Sequence, residues 1–187
     1  MGNENKKTEN IISSHVIYAM TAGAIPVPVA DIVAVSAIQY DMINQIAEAY
    51  KAKYDSEKGK ALASSLAGAT ASRIGASFIK AIPGVGTFLG IGSQMLMAGA
   101  TTYALGKIFD SHFSGNKNLD NFNIEAVKNQ YREFLNKGKA YAREVKKNFG
   151  RDDVFDTIEK LNQLKSTGAI SEEEFRNIKE KLLNKIV

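Results

Sequence analysis

Apolar residues recur every three or four positions along most of the chain, which is the period of an α-helix. The clearest stretch lies between residues 29 and 54, where the apolar positions are Ile32, Val35, Ile38, Met42, Ile46 and Ala49. Pro26 and Pro28 interrupt the chain just before it, because proline lacks an amide donor and restricts the residue that precedes it. The pattern therefore predicts a first helix from about residue 10 to 23 and a second from 29 to 54.

Small residues dominate the next two predicted helices, at about 61–82 and 87–109. An isolated glycine costs a helix about 1 kcal/mol relative to alanine, so repeated glycines on one face indicate that a neighbouring backbone comes close. The repeated glycines are Gly68 and Gly75 in the third helix and Gly92, Gly99 and Gly106 in the fourth. Because Pro83-Gly84 is a turn signal, we predict an antiparallel hairpin packed through these glycines, in either water or lipid.

The C-terminal part of the chain has a different pattern. Residues 111–123 are polar and predict a linker, and an amphipathic helix follows from Ile124, with Val127, Tyr131, Leu135, Tyr141 and Val145 on one side. Two short helices come next, whose apolar stripes are Ile158, Leu161 and Leu164, then Phe175, Ile178 and Leu182. Ser171 and Glu174 form a capping box at the start of the second.

No segment alternates between apolar and polar residues as a half-buried strand does. The predicted fold class is therefore all-α. We expect a helical bundle with a tightly packed Gly/Ala-rich central hairpin, an amphipathic connecting helix and a C-terminal two-helix hairpin.

Charge divides the chain near residue 110. No lysine or arginine occurs between Ile11 and Tyr50, and the only charges between Ala61 and Gly106 are Arg73 and Lys80. The segment from Lys107 to the end carries sixteen basic and thirteen acidic residues. An unpaired charge is costly to bury, so one hypothesis is that Asp31 pairs with Arg73 or Lys80 inside the bundle. The alternative places each of these charges on a solvent-facing stripe.

Residue types for catalysis are scarce. The chain has no cysteine, and its two histidines, His15 and His112, are far apart in the sequence, so neither a metal site nor a nucleophile–His–acid arrangement is indicated. The glycines around Gly84 and Gly90 follow a predicted helix rather than a strand and lack the Lys-Ser/Thr of a phosphate loop. We therefore expect no catalytic residue, no cofactor and no enzymatic activity.

A basic surface is predicted at the end of the amphipathic helix, formed by Lys137, Lys139, Arg143, Lys146, Lys147 and Arg151. Such a run is either a solvated face or a contact for an anionic membrane, where each basic residue contributes about 1 kcal/mol. Nucleic acid is not an expected partner, because the net charge is only +4 and no recognition motif accompanies it. Residues 87–106 form an uncharged stretch that is long enough to span a membrane, but its glycine, serine and threonine residues lower its hydrophobicity.

Two resemblances to known families rest on specific residues. Residues 12–114 resemble the bacterial YcjF-type domain of unknown function, through Ile25-Pro26-Val27-Pro28-Val29-Ala30-Asp31, Gln39, Met42, Ile46, Ile82-Pro83-Gly84-Val85-Gly86 and Thr101-Thr102-Tyr103-Ala104-Leu105-Gly106. That domain often accompanies small GTPases, and many members are membrane proteins. The GTPase part of such fusions is absent here.

Residues 153–183 resemble the SHOCT module, through Ile158, Leu161 and Leu164, the run Gly168-Ala169-Ile170-Ser171-Glu172-Glu173-Glu174-Phe175, and Lys181-Leu182-Leu183. SHOCT modules end many unrelated bacterial proteins and are thought to mediate oligomerisation or protein contacts. The resulting division is a polar N-terminal tail (1–10), a YcjF-type helical domain (11–114), a linker with the amphipathic basic helix (115–151) and a SHOCT-like hairpin (152–187).

The expected function is that of a non-catalytic, membrane-associated helical module that oligomerises or recruits a protein partner. One alternative is a soluble adaptor or regulator of a separately encoded GTPase, and another is a membrane-perturbing or pore-forming protein. The N-terminal region lacks the features of a signal peptide. We therefore expect the bacterial cytoplasm or the cytoplasmic face of the inner membrane.

Overall fold

The structure is a computed structural model that describes residues 2–24, 30–79, 90–115 and 118–184, with side chains for 4–24, 32–67, 94–115 and 118–184. These residues form seven α-helices, one 3-10 turn at Leu119–Asn121 and no strand, which confirms the all-α class. The helices are α1 (Gly2–Ala22), α2 (Ala30–Ala49), α3 (Ser56–Ile79), α4 (Gly90–Ser114), α5 (Ile124–Lys147), α6 (Arg151–Ser166) and α7 (Glu172–Leu183).

Helix α4 lies at the centre of the bundle, where it packs against α5, α1 and α2. Its inward face carries Leu105, Phe109 and Phe113, each fully buried. These side chains join residues of α1, α2, α3 and α5 in one large apolar cluster. Burial of this apolar surface supplies the main free energy that holds the bundle together.

Helix α1 begins at Gly2, well before the position near residue 10 that the apolar pattern predicted. Tertiary contacts hold this polar extension on the bundle. Glu9 is ion-paired with Lys107 of α4, Thr8 is fully buried, and Asn5 accepts a 3.2 Å hydrogen bond from the Tyr50 hydroxyl. Residues 2–10 of the segment that we assigned to a polar tail are therefore helical.

Helix α2 ends at Ala49, five residues earlier than predicted. The cause lies at Lys51, whose φ of 52° belongs to the left-handed region and cannot continue a right-handed helix. Residues 52–55 have no regular structure, and α3 starts at Ser56, ahead of the predicted start near Ala61. Asp55 caps this start, since its carboxylate accepts a 3.0 Å hydrogen bond from the Lys58 amide.

The C-terminal hairpin, formed by α6 and α7, packs on the face of the bundle that α1 and α2 share. Both predicted apolar stripes point into this contact, because Leu161, Leu164, Phe175, Ile178 and Leu182 are all buried there. The receiving face is rich in alanine, with Ala19, Ala22, Ala34 and Ala37 beside Ile38. The hairpin therefore covers the helical domain of its own chain.

Each helix of this hairpin has a defined end. Ser171 accepts a hydrogen bond from the Glu174 amide, and the Glu174 carboxylate accepts one of 2.7 Å from the Ser171 amide, so the predicted capping box is present. Gly168, with a φ of +75°, provides the left-handed turn between α6 and α7. Within the described ranges, no helix combines the length and the apolar character that crossing a membrane requires.

Candidate functional site

A cluster of polar side chains lies beneath the C-terminal hairpin, where α1, α2 and α6 meet. At its centre is Asp41 of α2, and one oxygen, Oδ2, accepts three hydrogen bonds. His15 Nε2 donates from α1 at 2.8 Å, Gln45 Nε2 donates from the next turn of α2 at 2.8 Å, and Lys160 Nζ donates from α6 as an ion pair. Three helices thus meet on one carboxylate oxygen.

The charges of this cluster are largely removed from water. The side chains of His15, Lys160 and Asp41 are 3%, 10% and 22% exposed, respectively. Burial alone would raise the pKa of the Asp41 carboxyl, but the hydrogen bonds from His15 and Lys160 outweigh it and lower that pKa below its ordinary value of 3.8. The carboxylate is therefore held in its charged form.

His15 has an acceptor at each of its ring nitrogens. Nδ1 lies 2.7 Å from the Ile11 carbonyl oxygen, one turn back on α1, and Nε2 lies 2.8 Å from Asp41 Oδ2. The Tyr18 ring meets the imidazole edge-on, with ring centroids 5.6 Å apart. The imidazole is thus held in one orientation between α1 and α2.

Two clefts open on either side of Asp41. One, of about 610 Å³, lies between α2 and the turn of the C-terminal hairpin, with Tyr40, Tyr54 and Thr167 among its lining residues. The other, of about 410 Å³, is lined by Lys7, Glu48, Lys160 and Gln163 along with Asp41 itself. The hairpin supplies one wall of each cleft, so its position determines whether either cleft exists.

A second polar contact joins α2 to α4. Gln39 is buried, and its side-chain amide donates to the hydroxyls of Thr101 and Thr102 at 3.2 and 3.0 Å. Both threonines lie in the stretch that resembles the YcjF-type domain. Buried polar groups need partners, so this contact fixes how α2 and α4 align.

The predicted ion pair of Asp31 with Arg73 or Lys80 stays a prediction. Asp31 lies in the first turn of α2 and Arg73 in α3, but neither side chain is among those described, and Lys80 falls outside the described residues.

The cluster at Asp41 was not foreseen, although the sequence carries two signals of it. Asp41 is one of three acids between Ile11 and Tyr50, and Lys160 interrupts the apolar stripe of α6.

Two of the five predicted packing glycines have described surroundings. A Cβ atom on Gly99 would lie 2.5 Å from Met20 Cγ, and one on Gly106 would lie 2.8 Å from Ile12 Cγ1. Both glycines therefore pack against long side chains of α1, and a Cβ atom on Gly99 would also lie 3.1 Å from the Ala142 Cβ atom of α5. The surroundings of Gly68, Gly75 and Gly92 fall outside the described side chains.

A further close approach, which the sequence did not indicate, occurs at Gly138 of α5. A Cβ atom there would lie 2.7 Å from the Ala100 carbonyl oxygen and 3.0 Å from the Ala100 Cα atom of α4. The backbones of α4 and α5 therefore touch at this point. Gly138 was missed because it stands alone and not in a seven-residue repeat.

The predicted basic surface lies along the C-terminal half of α5 and the start of α6. All of its members are exposed except Lys139, which is partly buried. Lys137 and Lys147 pair with Glu133 and Glu144 on the same helix. In the part of the chain that the structure describes, no three His, Cys, Asp or Glu side chains are grouped as metal ligands would be.

The architecture defines a class of all-helical proteins in which a short C-terminal hairpin covers an Ala-rich face of a helical domain. The model of a family described as a domain of unknown function, DUF697, matches residues 1–140, and that of SHOCT, the short C-terminal domain, matches residues 156–183. The chain therefore belongs to the DUF697 family and ends in a SHOCT domain. DUF697 is the YcjF-type domain, so both resemblances seen in the sequence are confirmed.

A named relative adds to this assignment. Over 143 residues the chain is 38% identical to "Magnetosome membrane protein 22" of Magnetospirillum gryphiswaldense, and this similarity covers 74% of the chain and 73% of the relative. No solved structure matches the chain.

Proposed function

We propose that the protein is a non-catalytic, membrane-associated helical module that binds an anionic membrane surface through α5 and contacts a protein partner through its C-terminal hairpin. The basic end of α5 is the observation that carries the proposal. The name of the relative, a magnetosome membrane protein, supports association with a membrane.

The charge on α5 is suited to a lipid surface. From Ile124 to Arg151 the chain carries eight basic and three acidic residues. Within the described part of the chain no ion pair is found for Arg143 or Lys146, and both are exposed. Each basic residue close to an anionic surface contributes about 1 kcal/mol to binding, so several on one helix end give measurable attachment.

The hairpin is suited to protein contact because its apolar stripes need a surface. Two helices of 16 and 12 residues are marginal alone, and in this structure they use the Ala-rich face of α1 and α2. Only residues 148–150 connect the hairpin to α5. If the hairpin left that face, its stripes would become available to another copy of the chain or to a different protein.

Co-sedimentation with vesicles tests the membrane part. The wild type should bind vesicles that contain phosphatidylglycerol and should bind vesicles of phosphatidylcholine alone weakly. Arg143→Glu/Lys146→Glu should reduce binding to the anionic vesicles on the order of thirtyfold, since two contributions of about 1 kcal/mol are lost.

The matched control is Lys53→Glu/Arg176→Glu, which makes the same change in net charge at two exposed positions outside α5. This control should retain most of the binding. Equal losses in the two variants would overturn attachment through α5.

Carbonate extraction of the expressed wild type then separates the modes of association, because resistance to extraction would contradict a purely peripheral attachment.

A further inference from the structure

The outward face of α6 combines acidic side chains with an exposed aromatic ring. Asp152, Phe155, Asp156 and Glu159 follow one another at the spacing i, i+3, i+4 and i+7, which places all four on one side of the helix. All four are exposed, and Phe155 is one of two large apolar residues with this property in the described part of the chain. Because the buried stripe of α6 lies on its other side, this face stays accessible while the hairpin is docked.

The acids of this face are available to a partner. In the part of the chain that the structure describes, none of Asp152, Asp156 and Glu159 is ion-paired. The helix dipole favours acids in the first turn, which accounts for Asp152, but Asp156 and Glu159 lie beyond that turn. The three acids therefore form a negative surface around Phe155 on a chain whose net charge is +4.

This negative surface continues onto α1 through Tyr18. Burial raises the pKa of the Tyr18 hydroxyl, and so do the nearby Asp156 and Glu159 carboxylates. The Tyr18 ring is partly buried against the apolar cluster beneath the hairpin. Two aromatic rings thus accompany the acids, so the surface offers apolar area as well as charge.

The chain itself carries a surface of opposite charge at the end of α5. Arg143 and Lys146 are exposed there, and within the described ranges no acid pairs with either of them. Arg143 is suited to both components of the α6 face, because a planar guanidinium stacks on an aromatic ring and also pairs with carboxylates. The two surfaces are therefore complementary, although they do not meet within one copy.

We infer that the outward face of α6 binds the basic end of α5 in a second copy of the chain. Asp156 and Glu159 of one copy then face Arg143 and Lys146 of the other, and Phe155 lies against the guanidinium group. Each copy carries both surfaces, so two copies can make both contacts at once around a twofold axis. The inference rests on the proposed function, in which the hairpin contacts a protein partner, and it identifies that partner as a second copy.

The contact is expected to be weak and to depend on salt. Exposed ion pairs contribute little each, and dissolved ions screen them, so the ring of Phe155 is needed to add apolar contact. The basic residues involved are also those that we propose to bind a membrane. A second copy and an anionic membrane therefore compete for the end of α5.

Sedimentation velocity of the full-length protein at increasing concentration tests the contact. The wild type should form dimers in low salt, and high salt should dissociate them. Asp156→Lys/Glu159→Lys and Arg143→Glu/Lys146→Glu should each weaken dimerisation on the order of thirtyfold, because like charges then face each other. A wild type that stays monomeric in low salt would overturn the inference.

A mixture of these two variants gives a stricter test. One variant has basic residues on both surfaces and the other has acidic residues on both, so together they should form a mixed dimer although neither dimerises alone. Recovery of this kind requires two folded proteins, so it cannot result from misfolding. Failure to form the mixed dimer, when circular dichroism shows both variants folded, would contradict the contact.

Two further variants separate the ring and the location from the charge. Phe155→Ala leaves the charge unchanged and should weaken dimerisation on the order of tenfold, since the apolar contact of the ring is lost. The matched control Glu48→Lys/Glu173→Lys makes the same change in net charge as the α6 variant, at two exposed positions outside this face, and should dimerise as the wild type does. Equal weakening in this control would mean that net charge, and not the α6 face, governs association.

Vesicle co-sedimentation distinguishes failure of this inference from failure of the proposed function. Asp156→Lys/Glu159→Lys keeps the basic end of α5, so it should bind vesicles that contain phosphatidylglycerol at least as well as the wild type does. If the wild type binds these vesicles and never dimerises, membrane attachment stands and the second copy is the wrong partner.

Discussion

The Lys160 ammonium of α6 lies against the Asp41 carboxylate of α2, and this ion pair, whose side chains are 10% and 22% exposed, lies between the SHOCT hairpin and the DUF697 domain. A buried pair of this kind adds little net stability, because desolvation offsets the attraction between the charges. Removal of one partner lowers stability much more, because it leaves the other charge without a partner. The pair therefore acts mainly to select one alignment of the hairpin on its receiving face.

A double-mutant cycle tests this relationship. Asp41→Asn and Lys160→Met should each lower the free energy of unfolding by about 2–3 kcal/mol, since each strands the opposite charge. The double variant should lose clearly less than the sum of the two losses, because the stranded charge is gone. Urea denaturation of the four proteins measures the coupling.

The exposed pair Lys137–Glu133 on α5 is the control for that cycle. Exposed ion pairs contribute little, so Lys137→Met should leave the free energy of unfolding unchanged within error. Additive losses for Asp41→Asn and Lys160→Met would mean that the two side chains do not interact energetically.

Acid should remove the contribution of Asp41. Its pKa is lowered in the folded protein from 3.8, so folding stabilises the charged form. This contribution is complete above the unfolded pKa and is lost as the pH falls through the lower folded pKa. Between about pH 5 and about pH 2 the wild type should therefore lose more stability than Asp41→Asn does, as urea denaturation at each pH would show. Parallel curves for the two proteins would contradict the lowered pKa.

The helices could be predicted from sequence because each one has its own apolar period and its own breaking residues. The prolines before α2, the polar stretch before α5 and the turn at Gly168 all act locally. The start of α1 could not be predicted in this way, because residues 2–9 are polar and are held in a helix by contacts such as that of Glu9 with Lys107. The local sequence pattern carries no information about such long-range contacts.

The site was less predictable than the fold for the same reason. His15, Asp41 and Lys160 lie in three helices, and their meeting depends on the rotation and alignment of each helix against the others. The sequence did show that charges inside apolar stretches need partners. It directed attention to Asp31, whereas in the described part of the chain a buried pair forms at Asp41.

Docking of the hairpin on its own chain predicts unequal effects at two apolar residues of α6. Leu161 is fully buried, so Leu161→Ala should cost about 2–5 kcal/mol. Phe155 is 54% exposed, and Phe155→Ala should change stability by less than about 0.5 kcal/mol. Hydrogen exchange at the amides of Ala34, Ala37 and Ile38 should become faster only in Leu161→Ala. Equal exchange in the two variants would indicate that the hairpin does not cover α2 in solution.

The contact between α4 and α5 at Gly138 gives the last prediction. Alanine is the better helix former by about 1 kcal/mol, so Gly138→Ala would stabilise an open helix. Here the new Cβ atom would meet backbone atoms of Ala100, which cannot rotate away as a side chain can. We therefore expect a net loss of about 1–3 kcal/mol in the free energy of unfolding.

Ala140→Gly, at an exposed position of the same helix, measures the propensity term alone and should cost about 1 kcal/mol. With that value known, urea denaturation of Gly138→Ala separates the steric cost from the gain in helix propensity. A Gly138→Ala protein more stable than the wild type would mean that α5 stands farther from α4 than the structure places it. The outcome also bears on the membrane proposal, because α5 carries the basic surface and its contact with α4 determines which of its faces can reach a membrane.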